Sequence, residues 1–282
     1  FQVGLNNEGK PIQWESQVSQ PNLLAQFVPS MGWLNFDPMT IPAAVHDYPL
    51  IPKHFYEIDG VNVTHSPVIF DVPIGPWRAP PNSINVFYTE SVMDELSHLA
   101  GIDPLIYRLS FLKNSPRHKK VLELVAKQSG WGTDTMEGQG RGLGINEWFP
   151  INETKTILGV VAKVSISEKG KLKIDRVDCV VDCGIAVNPD SVKAQIEGGV
   201  IMGLSAALYE KITIKDGQVS QSNFDDYRIT RMRDTPEINI SIVKSLERPT
   251  GTGEPGSSPI VPAITNAIFA ATGKRIRKLP IG

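Results

Sequence analysis

Arg248-Pro-Thr-Gly-Thr-Gly-Glu-Pro-Gly-Ser-Ser-Pro259 runs directly into Ile260-Val-Pro-Ala-Ile-Thr-Asn-Ala-Ile-Phe-Ala-Ala271. Three glycines and three prolines in the first twelve residues write a tight, pre-set backbone, because glycine admits positive φ and close approach while proline fixes φ. The apolar run that follows predicts a helix from about Ser258 to Thr272, stopped by Gly273. The one acidic side chain in the loop is Glu254. A lone carboxylate between Gly253 and Pro255, against a helix whose small residues allow close packing, suits a buried catalytic base. The same pattern fits a solvated turn or a carboxylate capping the helix, and one carboxylate makes no constellation by itself.

Upstream, Glu237 to Ser245 alternates as a strand leading into this loop, preceded by a charged junction and a hairpin around Asp216-Gly217. Ile157 to Ser167 and Lys171 to Cys183 read as strands, the second apolar enough to be central. Asp182-Cys-Gly-Ile-Ala-Val-Asn-Pro-Asp190 closes that strand and opens a long helix, with Asn188 as cap and Pro189 in the first turn. Gln195, Gly198, Gly199, Met202 and Gly203 sit on this helix. Each helical glycine costs about 1 kcal/mol relative to alanine, so these predict close approach by another helix or by a cofactor. Gly138-Gln-Gly-Arg-Gly-Leu-Gly144 carries four alternating glycines but no Lys-Ser/Thr pair and no following helix. It is therefore a weak nucleotide-fold signal, and is read instead as backbone passing close to a flat or phosphorylated cofactor.

In the first half, Phe1 to Leu5 and Ile12 to Val18 predict a hairpin, and residues 19–76 are irregular apart from a strand over Asn62 to Phe70. So long an irregular stretch lies over something functional or against a partner. Its His46, His54 and His65 match no zinc spacing. Pro73-Ile-Gly-Pro-Trp-Arg-Ala-Pro-Pro-Asn82 then stiffens the chain around Trp77 and Arg78 before a helix from about Ser83. A five-donor, permanently charged guanidinium there suits an anionic ligand, or equally a salt bridge to a neighbouring lobe. Helices follow from Asp103-Pro104 to Leu112 and from Pro116 to Gly130.

A chain of 282 residues with net charge −2 can bury a large core and has no general pull toward nucleic acid or anionic membrane. No apolar run reaches the length that spans a bilayer. Cys179 and Cys183 are most simply core thiols and leave the redox compartment open. The opening at Phe1 is expected of a mature or cleaved product, or of a fragment.

Gly75-Pro-Trp-Arg-Ala-Pro, the Gly138 to Gly144 run, Val181-Asp-Cys-Gly-Ile-Ala-Val-Asn-Pro, Gln195-Ile-Glu-Gly-Gly-Val-Ile-Met-Gly-Leu, Asn223-Phe-Asp-Asp-Tyr, Gly253-Glu-Pro-Gly and Asn266-Ala-Ile-Phe-Ala-Ala-Thr-Gly occur in order. Together they resemble the C-terminal portion of the molybdopterin-binding large subunit of the xanthine oxidase family, nearest its isoquinoline 1-oxidoreductase and membrane-bound aldehyde dehydrogenase branch. The resemblance implies an α+β fold of mixed sheets and helices in two intertwined lobes, residues 1–135 and 136–282, the second bearing the catalytic glutamate. It implies Glu254 as the catalytic base. It implies cofactor contacts from Trp77, Arg78, Ala79, Gly138, Gln139, Gly140, Arg141, Gly142, Gln195, Gly198, Gly199, Gly253 and Ser257. The implied cofactor is molybdenum–molybdopterin in its cytosine dinucleotide form, the metal taking its sulfur ligands from the pterin.

The implied reaction puts water-derived oxygen onto an aldehyde or an N-heterocycle. The implied partners are the N-terminal portion or a companion chain of the large subunit, a [2Fe-2S] subunit, and cytochrome c or another acceptor, in the bacterial periplasm or cytoplasm. Met202, Trp77 and Thr252 depart from the family's commoner glutamine, phenylalanine and valine, which leaves the substrate class open. A non-catalytic assembly lobe is the competing expectation.

Overall fold

The computed structural model describes residues 1–22, 55–69, 72, 74–80, 82–148 and 155–281; His46 and His54 lie outside them. Strands β1 (Gln2–Leu5) and β2 (Pro11–Gln20) form the expected antiparallel hairpin. β3 (Val61–Pro67) adds to β2 in parallel, with Trp14 opposite Val61. Helices α1 (Asn82–Leu99), α2 (Pro104–Leu109) and α3 (Pro116–Ser129) follow. Asp103 caps α2 by accepting from the amides of Leu105 and Ile106, and Gly130 ends α3 in the left-handed conformation that glycine tolerates.

The second sheet has the order β4 (Gln139–Trp148), β5 (Thr156–Ile166), β6 (Leu172–Asp182) and β9 (Glu237–Ile242). Its first two pairings are antiparallel and the last is parallel. Helix α4 (Pro189–Leu208) makes the crossover between β6 and β9, and α5 (Ile260–Thr272) closes the fold. The hairpin expected across residues 209–224 is reduced to β7 (Ile214–Lys215) and β8 (Gln218–Val219).

Both faces of the second sheet are covered, which is why β5 and β6 read as nearly continuous apolar runs. Leu158, Val160, Ala162 and Val164 of β5 join Val177, Cys179 and Val181 of β6 in a core with α4 and α5. The alternate residues Ile157, Val161 and Val180 pack on the other side with Val121, Leu122 and Val125 of α3 and with Trp14, Met93 and Leu96. That second core draws on residues from both sides of position 135/136. Both cysteines are buried and unpaired, and burial pushes their thiols up. Among the described residues, no helix is long and apolar enough to cross a membrane.

The glycine run of β4 seats a helix. Gly140, Gly142 and Gly144 lie two apart on β4 and so share one face. That face lies against α5. A Cβ at each position would sit 2.2, 2.2 and 2.4 Å from the carbonyl oxygens of Ala267, Ala263 and Pro259. Helix backbone rests here on strand backbone, which a side chain would prevent. Asn266 on α5 adds a polar pin, its Nδ2 donating to the carbonyls of Glu90 and Leu143.

Candidate functional site

Three segments far apart in sequence meet at one place: the loop before α1, the first half of α4, and the loop before α5. The α4 helix starts where the sequence predicts, since Asn188 Oδ1 accepts from the amides of Asp190 and Ser191 at 3.1 Å with Pro189 next. The turn entering it is held by its neighbours. Gly184 N–H donates to Asp182 Oδ1 (3.1 Å), and the Thr250 amide and hydroxyl both donate to the Cys183 carbonyl (3.0 and 3.1 Å). Burial pushes the Asp182 carboxyl up, but the Arg117 guanidinium, 2.8 Å away, and the Gly184 amide outweigh it and hold it below the usual carboxylate range.

Gly199 and Gly203, one turn apart on α4, let the Glu254 loop settle onto the helix. A Cβ at Gly199 would lie 2.9 Å from Gly256 Cα, and one at Gly203 would lie 2.3 Å from the Ser257 carbonyl oxygen. The close approach predicted for this helix is thus made by protein backbone, while Gly198, on an adjacent face, stays exposed.

Arg78 then ties the three segments together. Its Nε donates to the Gly253 carbonyl (2.5 Å), and its Nη2 donates to the Gln195 carbonyl (3.3 Å) and to Gln195 Oε1 (3.2 Å). Ser257 Oγ donates back to the Arg78 carbonyl (3.3 Å) and to that of Glu254 (3.0 Å). Ala79 is fully buried and left-handed, with φ +67°, a conformation costing a non-glycine residue roughly 1–2 kcal/mol. From that conformation its N–H donates to Glu254 Oε1 at 3.2 Å. Strain at a side-chain-holding amide is a recurrent mark of functional loops. Glu254 itself is half-buried, and among the described residues its Oε2 has no protein partner. The same holds for Gln195 Nε2.

Of the residues named from sequence, Arg78, Ala79, Gln195, Gly198, Gly199, Gly253, Glu254 and Ser257 therefore assemble. Trp77 is half-buried on the same loop. Gly138, Gln139, Gly140, Arg141 and Gly142 do not join them. Arg141 donates to the Thr133 carbonyl and hydroxyl, Gln139 to Ser165 Oγ, and Gly140 and Gly142 face α5. Sequence reasoning missed Asn82, Asn146 and Ser258, a buried polar chain linking α1, β4 and the loop before α5. The available signal was Asn146 and Glu147, polar residues following the apolar Leu143 and Ile145 within one strand.

Exposed Gln195, Gly198 and Gly253 surround the Arg78 guanidinium, and the two glycines leave bare backbone there. Such a surface fits an anionic, oxygen-rich ligand. Among the described residues, no group of three or more His, Cys, Asp or Glu could hold a metal ion.

Comparison with known proteins gives a molybdopterin cofactor-binding domain matching residues 118–236, a range outside which Arg78 and Glu254 fall. The chain is 34% identical to the beta chain of isoquinoline 1-oxidoreductase from Brevundimonas diminuta over 82% of its own length and 32% of that protein's. It is 31% identical to one of the subunits of nicotinate dehydrogenase from Pseudomonas putida over 99% of itself and 24% of that protein. The chain thus spans about a quarter to a third of the curated relatives it matches. Quinoline 2-oxidoreductase from Pseudomonas putida 86 superposes with a TM-score of 0.79 at 12% identity, covering 99% of this chain and 60% of that one, a likeness of fold. The mixed sheets and helices are those of the molybdenum-cofactor-binding domains of molybdenum hydroxylases.

Proposed function

We propose that this chain, which carries a molybdenum-cofactor-binding domain related to the xanthine oxidase family, supplies the base and part of the cofactor cradle of a molybdenum hydroxylase. The substrate class is an aldehyde or an electron-poor N-heterocycle, and the electrons leave through a [2Fe-2S] partner. Bound molybdenum–molybdopterin would supply the two-electron redox chemistry and the activation of water-derived oxygen. One observation carries the reading: Glu254 is held by one oxygen only. The Ala79 amide engages Oε1, and among the described residues Oε2 has no partner, on a loop whose Gly253 carbonyl is held by Arg78.

In this reading Oε2 accepts the proton from the attacking oxygen, and the Ala79 N–H keeps the carboxylate from rotating away. Arg78 does not approach the carboxylate as an ion-pair partner. It fixes the Gly253 and Gln195 backbone on either side of the site. The Gln195 Nε2 and the exposed backbone of Gly198 would hold the oxygen-rich edge of the pterin. Ser257 joins the Arg78 and Glu254 loops from beneath.

The test is Glu254→Gln in the complex purified with every co-purifying chain. General-base transfer contributes about 10²–10⁴-fold, so turnover of aldehydes and N-heterocycles with a dye acceptor should fall by that factor. Molybdenum and pterin content should stay at wild-type level. Full turnover in this variant would overturn the assignment. A wild-type complex without molybdenum or pterin would favour an assembly role instead.

A further inference from the structure

We infer that Asn146 is a positioning residue for the Glu254 site, an inference that rests on the reading of that site given above. Asn146 is 1% exposed near the end of β4, on a strand where Leu143 and Ile145 are core residues. Asparagine is depleted in strands, and a buried primary amide must find partners for both its ends. Here both are met by side chains on other elements. Asn146 Oδ1 accepts from Asn82 Nδ2 at 2.8 Å, and its Nδ2 donates to Ser258 Oγ at 2.8 Å.

Those two partners stand at the roots of the two loops that make the site. Asn82 opens α1, three residues after Ala79, and the Ser83 amide donates to the Ala79 carbonyl (2.8 Å) to close the turn that presents the Ala79 N–H. Ser258 lies four residues after Glu254 and directly after Ser257, which bonds the carbonyls of Arg78 and Glu254. One amide therefore braces, from the sheet side, two loops that also touch directly through Arg78 Nε to the Gly253 carbonyl and Ser257 Oγ to the Arg78 carbonyl. The contact it protects, Ala79 N–H to Glu254 Oε1, is a single hydrogen bond already at 3.2 Å, so small relative movement of the loops breaks it. Asn82 keeps a second acceptor in the Glu147 carbonyl (2.8 Å), whereas the buried Ser258 Oγ loses the donor that Asn146 supplies.

The experiment uses the whole complex and compares Asn146→Leu, Ser258→Ala, Glu254→Gln and the double variant Asn146→Leu/Glu254→Gln. Asn146→Leu removes both bonds at similar volume. Ser258→Ala removes only one and carries the same test where the leucine variant fails to assemble. A misplacement on the order of 1 Å costs up to about 10²-fold, so kcat is expected to fall roughly 10- to 100-fold with KM and molybdenum and pterin content unchanged. Independently of activity, hydrogen exchange at the Ala79 amide should quicken. The double variant should be no slower than Glu254→Gln alone, because displacing the position of a base that is already absent costs nothing more.

Wild-type kcat with unchanged Ala79 exchange in the Asn146 and Ser258 variants would overturn the inference. So would losses that multiply in the double variant, since those belong to general destabilisation. If Glu254→Gln keeps full turnover, the assignment of the base falls, and Ala79 exchange alone then decides the clamp: faster exchange upholds it and unchanged exchange overturns it.

Discussion

Replacing Gly142 with alanine distinguishes a glycine that seats a helix from a glycine that admits a cofactor. The new Cβ would lie 2.2 Å from both Ala263 O and Ala267 N, and 2.7 Å from Asn266 C. Non-bonded heavy atoms come to rest about 3.5–4.0 Å apart, so the deficit is roughly 1.3 Å. All three opposing atoms are helix backbone, and no rotamer change relieves them. Either α5 lifts from β4 or the strand bends, and lifting α5 loosens Ala263, Ile264 and Ala267 in the core and carries the Glu254 loop with it. Overpacking of this kind costs about 1–3 kcal/mol, here at the upper end because the clash is two-sided. The alanine returns roughly 0.4–1 kcal/mol through lost freedom of the unfolded chain, leaving a net of about 2–2.6 kcal/mol. At about 2–4 °C per kcal/mol for a chain of this size, Tm should fall by roughly 4–10 °C.

Thermal scanning of the purified complex, with molybdenum and pterin measured on the same sample below the transition, is the assay. Gly251→Ala is the control, because nothing lies within 4 Å of its Cβ position and its φ is not positive. An unchanged Tm with pterin lost from Gly142→Ala would refute the packing account and return the run to the cofactor.

Two further predictions follow from the geometry. Arg78→Lys places a point charge where a planar fork now reaches Gly253 and Gln195 at once; losing one or two such bonds, each about 1.5–3 kcal/mol, should lower kcat/KM at least tenfold in steady-state assays while Glu254 stays in place. Asp182→Asn should lower the urea midpoint at neutral pH. The native carboxyl is held below its unfolded value, so its contribution is complete above the unfolded pKa of about 3.9 and is lost as pH falls through the native value. The gap between variant and wild type should therefore begin to shrink below about pH 4 and go on shrinking as pH falls through the native value, and a gap that persists unchanged on acidification would mean that Asp182 acts through packing rather than charge.

Much of this protein was legible locally. The Asn188 cap with Pro189, the Asp103 cap with Pro104, the left-handed Gly130 and Gly273, and the two long apolar strands follow from interactions within a few residues of chain. The stiffened phrases around Arg78 and Glu254 were also visible, as was the shortage of alternatives to Glu254 in its loop. Glycine spacing was legible as close approach but not as close approach to what. The period of two in Gly140, Gly142 and Gly144 says that one face of a strand is bare, and nothing in the strand says which element covers it.

The sequence by itself determined the local elements, their caps and the two candidate loops, because those depend on φ preference and on hydrogen bonds a few residues long. Only the tertiary structure decided that Arg78 and Gly253, 175 residues apart, share a hydrogen bond, that α5 covers the glycine face of β4, and that Asn146 stands between Asn82 and Ser258. Those contacts arise from how α1, α4 and α5 pack around one sheet. Packing depends on the shape of every face at once, and no single stretch of chain contains it.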